Sequence, residues 1–141
     1  MSLGGGGQIL NYVVKALTRR GIHVCVAAGN EGSDACKVSP ASERTAITVG
    51  ATEDKSDRVI DFSNFGKCLD IFAPGRNIKS ADFLTNDGFQ IFSGTSQATP
   101  HVAGTVALII GQFGNSKTRQ NGKDLNMFCY KRCYSKKHFK R

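Results

Sequence analysis

No stretch of about 18 consecutive apolar residues occurs in this 141-residue sequence, which argues against a membrane-spanning helix. The opening, MSLGGGGQILNYVVKALTRRG, lacks a basic start followed by a long apolar stretch, so a secretory signal peptide is not expected. Net charge is missing from most of the chain. Residues 1–115 carry ten basic and ten acidic side chains, while residues 116–141 carry nine basic residues against one Asp. The whole net charge of +8 therefore belongs to the tail, and a basic binding face on the rest is not expected. What is present suffices for one ordinary domain: hydrophobic residues make up 40% and charged residues 21%.

Five cysteines cannot all pair within the chain. Cys25 lies in a Val-rich segment and reads as a buried free thiol. Cys36 and Cys68 can pair or stay reduced, and spacing does not decide between the two. Cys129, Cys133 and His138 fall at C-x3-C-x4-H spacing, one ligand short of a closed zinc site, and read as an accidental cluster.

Along the chain, QILNYVVKALTRRG sets Ile9, Leu10, Val13, Val14 and Leu17 at helical spacing, with Arg19 and Arg20 at the end that favours cations. Gly21 is a natural stop. IHVCVAAGN then reads as a buried parallel strand, TAITVGA (45–51) as a second and CLDIFAPG (68–75) as a third. SDACKVSPASER reads as loop. From Thr95 to about Phe113 the pattern predicts a helix rich in Ala and Gly, apolar nearly all round and suited to the middle of a protein. The fold class is α/β, with a domain over residues 1–114. Residues 115–141 read as a basic, disordered tail unlike the rest.

The stretch FSGTSQATPHVAG places Ser96 where a chain can turn sharply into a helix start, an end with unpaired N–H groups. A nucleophile needs that exposure, a base and oxyanion donors. Taken alone, Ser93, Thr95 and Ser96 are better explained as helix caps than as a nucleophile's setting. His101 is five residues further on, about 7.5 Å along the axis and turned away, so it reads as a packed or hydrogen-bonded core histidine. His23 precedes a strand, at the wrong end for a site, and His138 is in the tail. No histidine is a convincing base. Asn30 follows a strand, where its amide could serve as an oxyanion donor or simply shape a turn.

SLGGG, VAAGNEG, SPASERTAITVGA, FSNFG, LDIFAPG and SGTSQATPHVAG occur in the order found in subtilisin-like serine proteases, and the chain most resembles the proteinase K branch over residues 1 to about 113. The resemblance implies a three-layer fold with a largely parallel sheet, and peptide-bond hydrolysis through an acyl-enzyme on Ser96. It implies Asn30 and the Ser96 N–H as oxyanion donors. Ser2, Leu3, Gly4 and Gly5 would form the strand along which substrate adds, with Gly6, Ala28 and Gly29 at the pocket. His101 becomes a structural histidine. No cofactor is required; a structural calcium is implied at Asp54, completed by backbone carbonyls near Arg44 and Ala46.

The family's catalytic Asp and His precede such a segment, in Asp-x-Gly and His-Gly-Thr contexts, and neither context occurs here. The chain is thus expected to be the second half of a catalytic domain, fold incomplete and inactive as written. Its implied partners are a peptide or protein substrate and the missing N-terminal half; its implied location is secreted, extracellular or vacuolar. The alternative is a non-catalytic module whose tail, with Phe128, Tyr130, Tyr134 and Phe139 among its cations, binds nucleic acid or anionic membrane. A solvated tail is the plainer reading of such a charge run, and a nucleic-acid partner is not expected.

Overall fold

A computed structural model describes residues 1–5 and 7–115. Gly6 and the tail, with its cysteine–histidine spacing and its interleaved aromatics, lie outside the described residues. The elements run α1 (Ile9–Arg19), β1 (Cys25–Ala27), β2 (Ile47–Thr52), β3 (Ile71–Pro74), β4 (Ile78–Ala81), β5 (Phe89–Phe92) and α2 (Thr95–Phe113). α1 ends at Gly21, whose φ of 83° suits a residue without a side chain. β1, β2 and β3 form a parallel sheet in that order, with Cys25 opposite Ile47 and Ala51 opposite Ala73.

Alternation along these strands builds two cores. Cys25, Ile47, Val49, Ala51 and Ala73 meet Ala98, Val102 and Val106 of α2 on one face of the sheet. Val24, Val26 and Ala46 meet Val14 of α1 on the other. The result is helix, parallel sheet, helix: three layers, as expected from the resemblance. Ala98 is completely buried, and its lack of bulk lets α2 lie close to the strands.

Two expectations about packing need correction. The apolar girth of α2 is covered on one side only, for Leu108 is 77% exposed and Phe113 also faces outward. His101 is likewise exposed rather than packed in a core, though its Nδ1 is hydrogen-bonded to the Gln97 carbonyl (2.9 Å). The β4–β5 antiparallel hairpin was not legible at all. Its strands are mostly exposed on both faces, so they carry no alternation of buried and exposed residues. Its connection spans residues 82–88 instead of a two-residue turn.

Cys36 and Cys68 form a disulfide across a sequence separation of 32. A closed loop of that length is worth roughly 3–4 kcal/mol in the chain-entropy account. Reduction with a dithiol is expected to lower the unfolding free energy by about that amount in denaturant titrations. A midpoint that does not move would contradict this. Cys25 is a buried free thiol, as expected, and burial pushes it up to about 11. It is held as an inert thiol at neutral pH.

Candidate active site

The carboxyl end of β1 and the amino end of α2 meet, and this junction assembles the site. The α2 cap position is Gly94, and no side chain of its own segment caps it. Instead the cap comes from Asn30: its Oδ1 accepts from the Thr95 N–H (2.8 Å) and from the Thr95 hydroxyl (2.9 Å). Thr95 Oγ1 in turn accepts from the Gly29 N–H (3.2 Å). Ser93 Oγ accepts from Asn77 N (2.9 Å), so none of the three hydroxyls serves as the local helix cap.

With its oxygen committed to Thr95, the Asn30 carboxamide must turn its NH2 group elsewhere. A methyl group built on Gly94 would lie 3.5 Å from Asn30 Nδ2 and 3.6 Å from the Ser96 backbone N. Asn30 Nδ2 and the Ser96 backbone N thus lie near each other beside Gly94, with Gln97 Oε1 closer still to the same point (2.8 Å). The Ser96 N–H is one of the orphan donors of a helix start.

Ser96 is clasped to the first strand-like segment in both directions. Its Oγ donates to Ser2 O (3.2 Å), and Ser2 Oγ donates to Ser96 O (2.8 Å). Pro100 explains why that carbonyl is free. A residue with an N–H at position 100 would bond Ser96 O within the helix, and proline has none.

Met1 and Ser2 lie along β1, where Ala27 N donates to Met1 O (3.1 Å) and the Met1 amino group bonds Cys25 O. Gly5 N donates to Ser39 O (3.0 Å). Between them Leu3 and Gly4 are exposed, and their backbone groups bond no other described residue. An open cleft of about 480 Å³ runs beside this segment. Ser2 to Gly5, Ala27, Gly29, Asn30, Glu31, Lys37, Val38, Thr95 and Ser96 line it. Ala28 stands behind the wall, fully buried, and does not line the cleft.

Sequence reasoning missed Asn64, which fixes the turn carrying Asn30. Fully buried, it accepts at Oδ1 from Ser33 N (2.8 Å) and Glu31 N (3.2 Å). Its Nδ2 donates to Ala28 O (2.9 Å) and Glu31 Oε2 (2.6 Å). Gly29, at φ 104°, admits it: a Cβ there would collide with Asn64 Nδ2. FSNFG marked the segment, but no local pattern said what its asparagine would meet.

The groups named for calcium do not converge on one ion. Asp54 is exposed beyond the end of β2, while Arg44 and Ala46 precede its start, and six strand residues separate them by about 20 Å. The carboxylate at the start of β2 is Asp70, which accepts from Thr48 N (2.8 Å). Burial pushes its pKa above the ordinary aspartate value, against the opposing pull of that N–H and of Arg44. Among the described residues no group of three or more His, Cys, Asp or Glu side chains is placed to hold a metal. No helix among them is long and apolar enough to cross a membrane.

A helix–sheet–helix domain with a serine at the start of its central helix and an asparagine at the facing strand end defines a class, and the comparisons agree with it. The chain matches the profile of the subtilase family over residues 1–129, beyond the boundary expected at residue 114. It is 51% identical to subtilisin-like protease 2 of Pseudogymnoascus destructans, covering 82% of this chain and 29% of that protein. It is 52% identical to cerevisin of Saccharomyces cerevisiae, covering 78% of this chain and 17% of that one. The crystal structure of a cold adapted subtilisin-like serine proteinase superposes with a TM-score of 0.85 at 44% identity, covering 90% of this chain and 46% of its own. The chain belongs to the subtilase family. It spans less than a third of the length of these two curated relatives.

Proposed function

We propose that this chain carries the serine half of a subtilisin-like endopeptidase site, with Ser96 as the nucleophile of peptide-bond hydrolysis. The observation that supports this most is that the Asn30 carboxamide, its oxygen committed to Thr95, and the Ser96 backbone N lie near each other beside Gly94. Attack on a peptide carbonyl puts negative charge on its oxygen, and two fixed donors stabilise that charge without reorganising. The peptide adds as a strand along the open backbone of Leu3 and Gly4, with Ser2 and Gly5 holding the segment at either end. Gly29 forms the wall beside the residue before the scissile bond.

What the described residues do not supply is a base. His101 is engaged with Gln97 O, and His23 bonds Asn115 (2.9 Å) at the far end of α2. The Ser96 hydroxyl donates to a carbonyl, which cannot take its proton. The chain on its own is therefore inactive. Its functional partner is the His- and Asp-bearing N-terminal half of such a domain, its substrate a peptide or protein, and its setting secreted, extracellular or vacuolar.

Mixing the chain with the His- and Asp-bearing half of a subtilisin-like relative tests this. Peptide hydrolysis is expected in the mixture and in neither component alone. A mixture that forms a complex yet stays inert would overturn the assignment of Ser96.

A further inference from the structure

The cleft beside Ser96 carries two charged side chains, and they are not equivalent. Glu31 lies against Gly29 with Oε2 held by Asn64 Nδ2 at 2.6 Å. Its backbone N–H is tied to the same asparagine, so the exposed carboxylate is fixed in place and already hydrogen-bonded. Lys37 is different. It ends the short 3₁₀ turn over Ala35–Lys37 and is exposed. The ion pairs among the described residues are both made by Arg76, and no described group bonds the Lys37 ammonium. The turn beneath it is pinned by the Cys36–Cys68 disulfide and by Cys36 N donating to Asp34 Oδ1 (2.9 Å). Among the described residues the cleft thus has one cationic lining residue without a described partner, on an anchored backbone, and Leu3 and Gly4 line the same cleft.

We infer that Lys37 makes this cleft select peptides with a carboxylate side chain at the position it holds. The inference rests on the proposal that the cleft is the peptide site, and it adds a substrate class: acidic peptides. A volume of about 480 Å³ is ample for an Asp or Glu side chain with its neighbours. A lysine is suited to this as a flexible, compact charge that follows a carboxylate without demanding one geometry. Because the site is open to water, the preference is moderate and weakens with salt.

The test uses the full chain and fluorescent peptides Ala-Ala-Ala-X-Ala-amide, with X as Glu, Leu or Lys, read by anisotropy. The Glu peptide is expected to bind about two- to fivefold more tightly than the Leu peptide, with the gap closing at high salt. Lys37→Met is expected to erase the gap, Lys37→Arg to keep it, and Lys37→Glu to turn the preference towards the Lys peptide. Equal binding of all three peptides overturns the inference and leaves the peptide site standing. Preference for the Lys peptide in the unmodified chain overturns it too, and assigns selection to Glu31. If none of the three binds, the peptide site itself fails and the inference with it.

Discussion

The chain alone is expected to hydrolyse peptides no faster than its own Ser96→Ala variant. In subtilisin, loss of the serine or the histidine by itself costs on the order of a million-fold in turnover, about as much as losing the whole triad. The reason is chemical: an alcohol is a weak nucleophile until a base takes its proton during attack. Here the Ser96 hydroxyl points its proton at Ser2 O, while Asn30 and the Ser96 N–H, the proposed oxyanion donors, already lie near each other beside Gly94. Supplying the missing half should therefore restore a large factor at once. In that complex Ser96→Ala should remove it entirely. Asn30→Ala should cost about a hundred- to a thousand-fold in kcat with little change in KM, the pattern of a donor used only as charge develops. A loss carried by KM would show Asn30 to be a binding residue instead.

Replacing Asn64 by Ala is expected to destabilise the fold by about 3–5 kcal/mol in denaturant titrations. The side chain is completely buried and satisfies five partners in one turn: Ala28 O, Glu31 N, Ser33 N, the Ser33 hydroxyl and the Glu31 carboxylate. Truncation strands the fully buried Ala28 carbonyl at about 1–3 kcal/mol, beyond the loss of the bonds to the more exposed Glu31 and Ser33. Against the ~5–15 kcal/mol that domains have in total, such a loss is large. Peptide binding should fall with it, because the Gly29–Ser33 turn carries Asn30. A change below about 1 kcal/mol would mean that water takes over these bonds and that Asn64 is not the anchor.

Much of this was legible beforehand, and for identifiable reasons. β1 and β2 are runs of small and branched residues buried on both faces, which is how parallel strands read, and β3 is an apolar run buried in part. Ser96 and Asn30 stood out as candidates because each sits at an element end, where chain geometry exposes polar groups. The hairpin of β4 and β5 escaped notice because Ile78–Ala81 and Phe89–Phe92 bury neither face, so burial left no period in their sequence. Asn64 escaped because its partners lie over thirty residues away, and nothing near position 64 announces them. His101 was rightly denied the role of base by helix spacing, yet its exposure could not be read from an apolar-looking helix. Periodicity reports which side of a helix can be buried, and the neighbours decide which side is.

The central claim is that nucleophile and oxyanion donors are assembled here without a base. The rate of Ser96 modification by a fluorophosphonate, located by peptide mapping, tests it most directly. The account predicts that the native chain reacts no faster than the denatured chain, and that adding the His- and Asp-bearing half accelerates Ser96 modification by orders of magnitude. Rapid labelling of Ser96 in the native chain alone would show that a base is present after all and contradict the account.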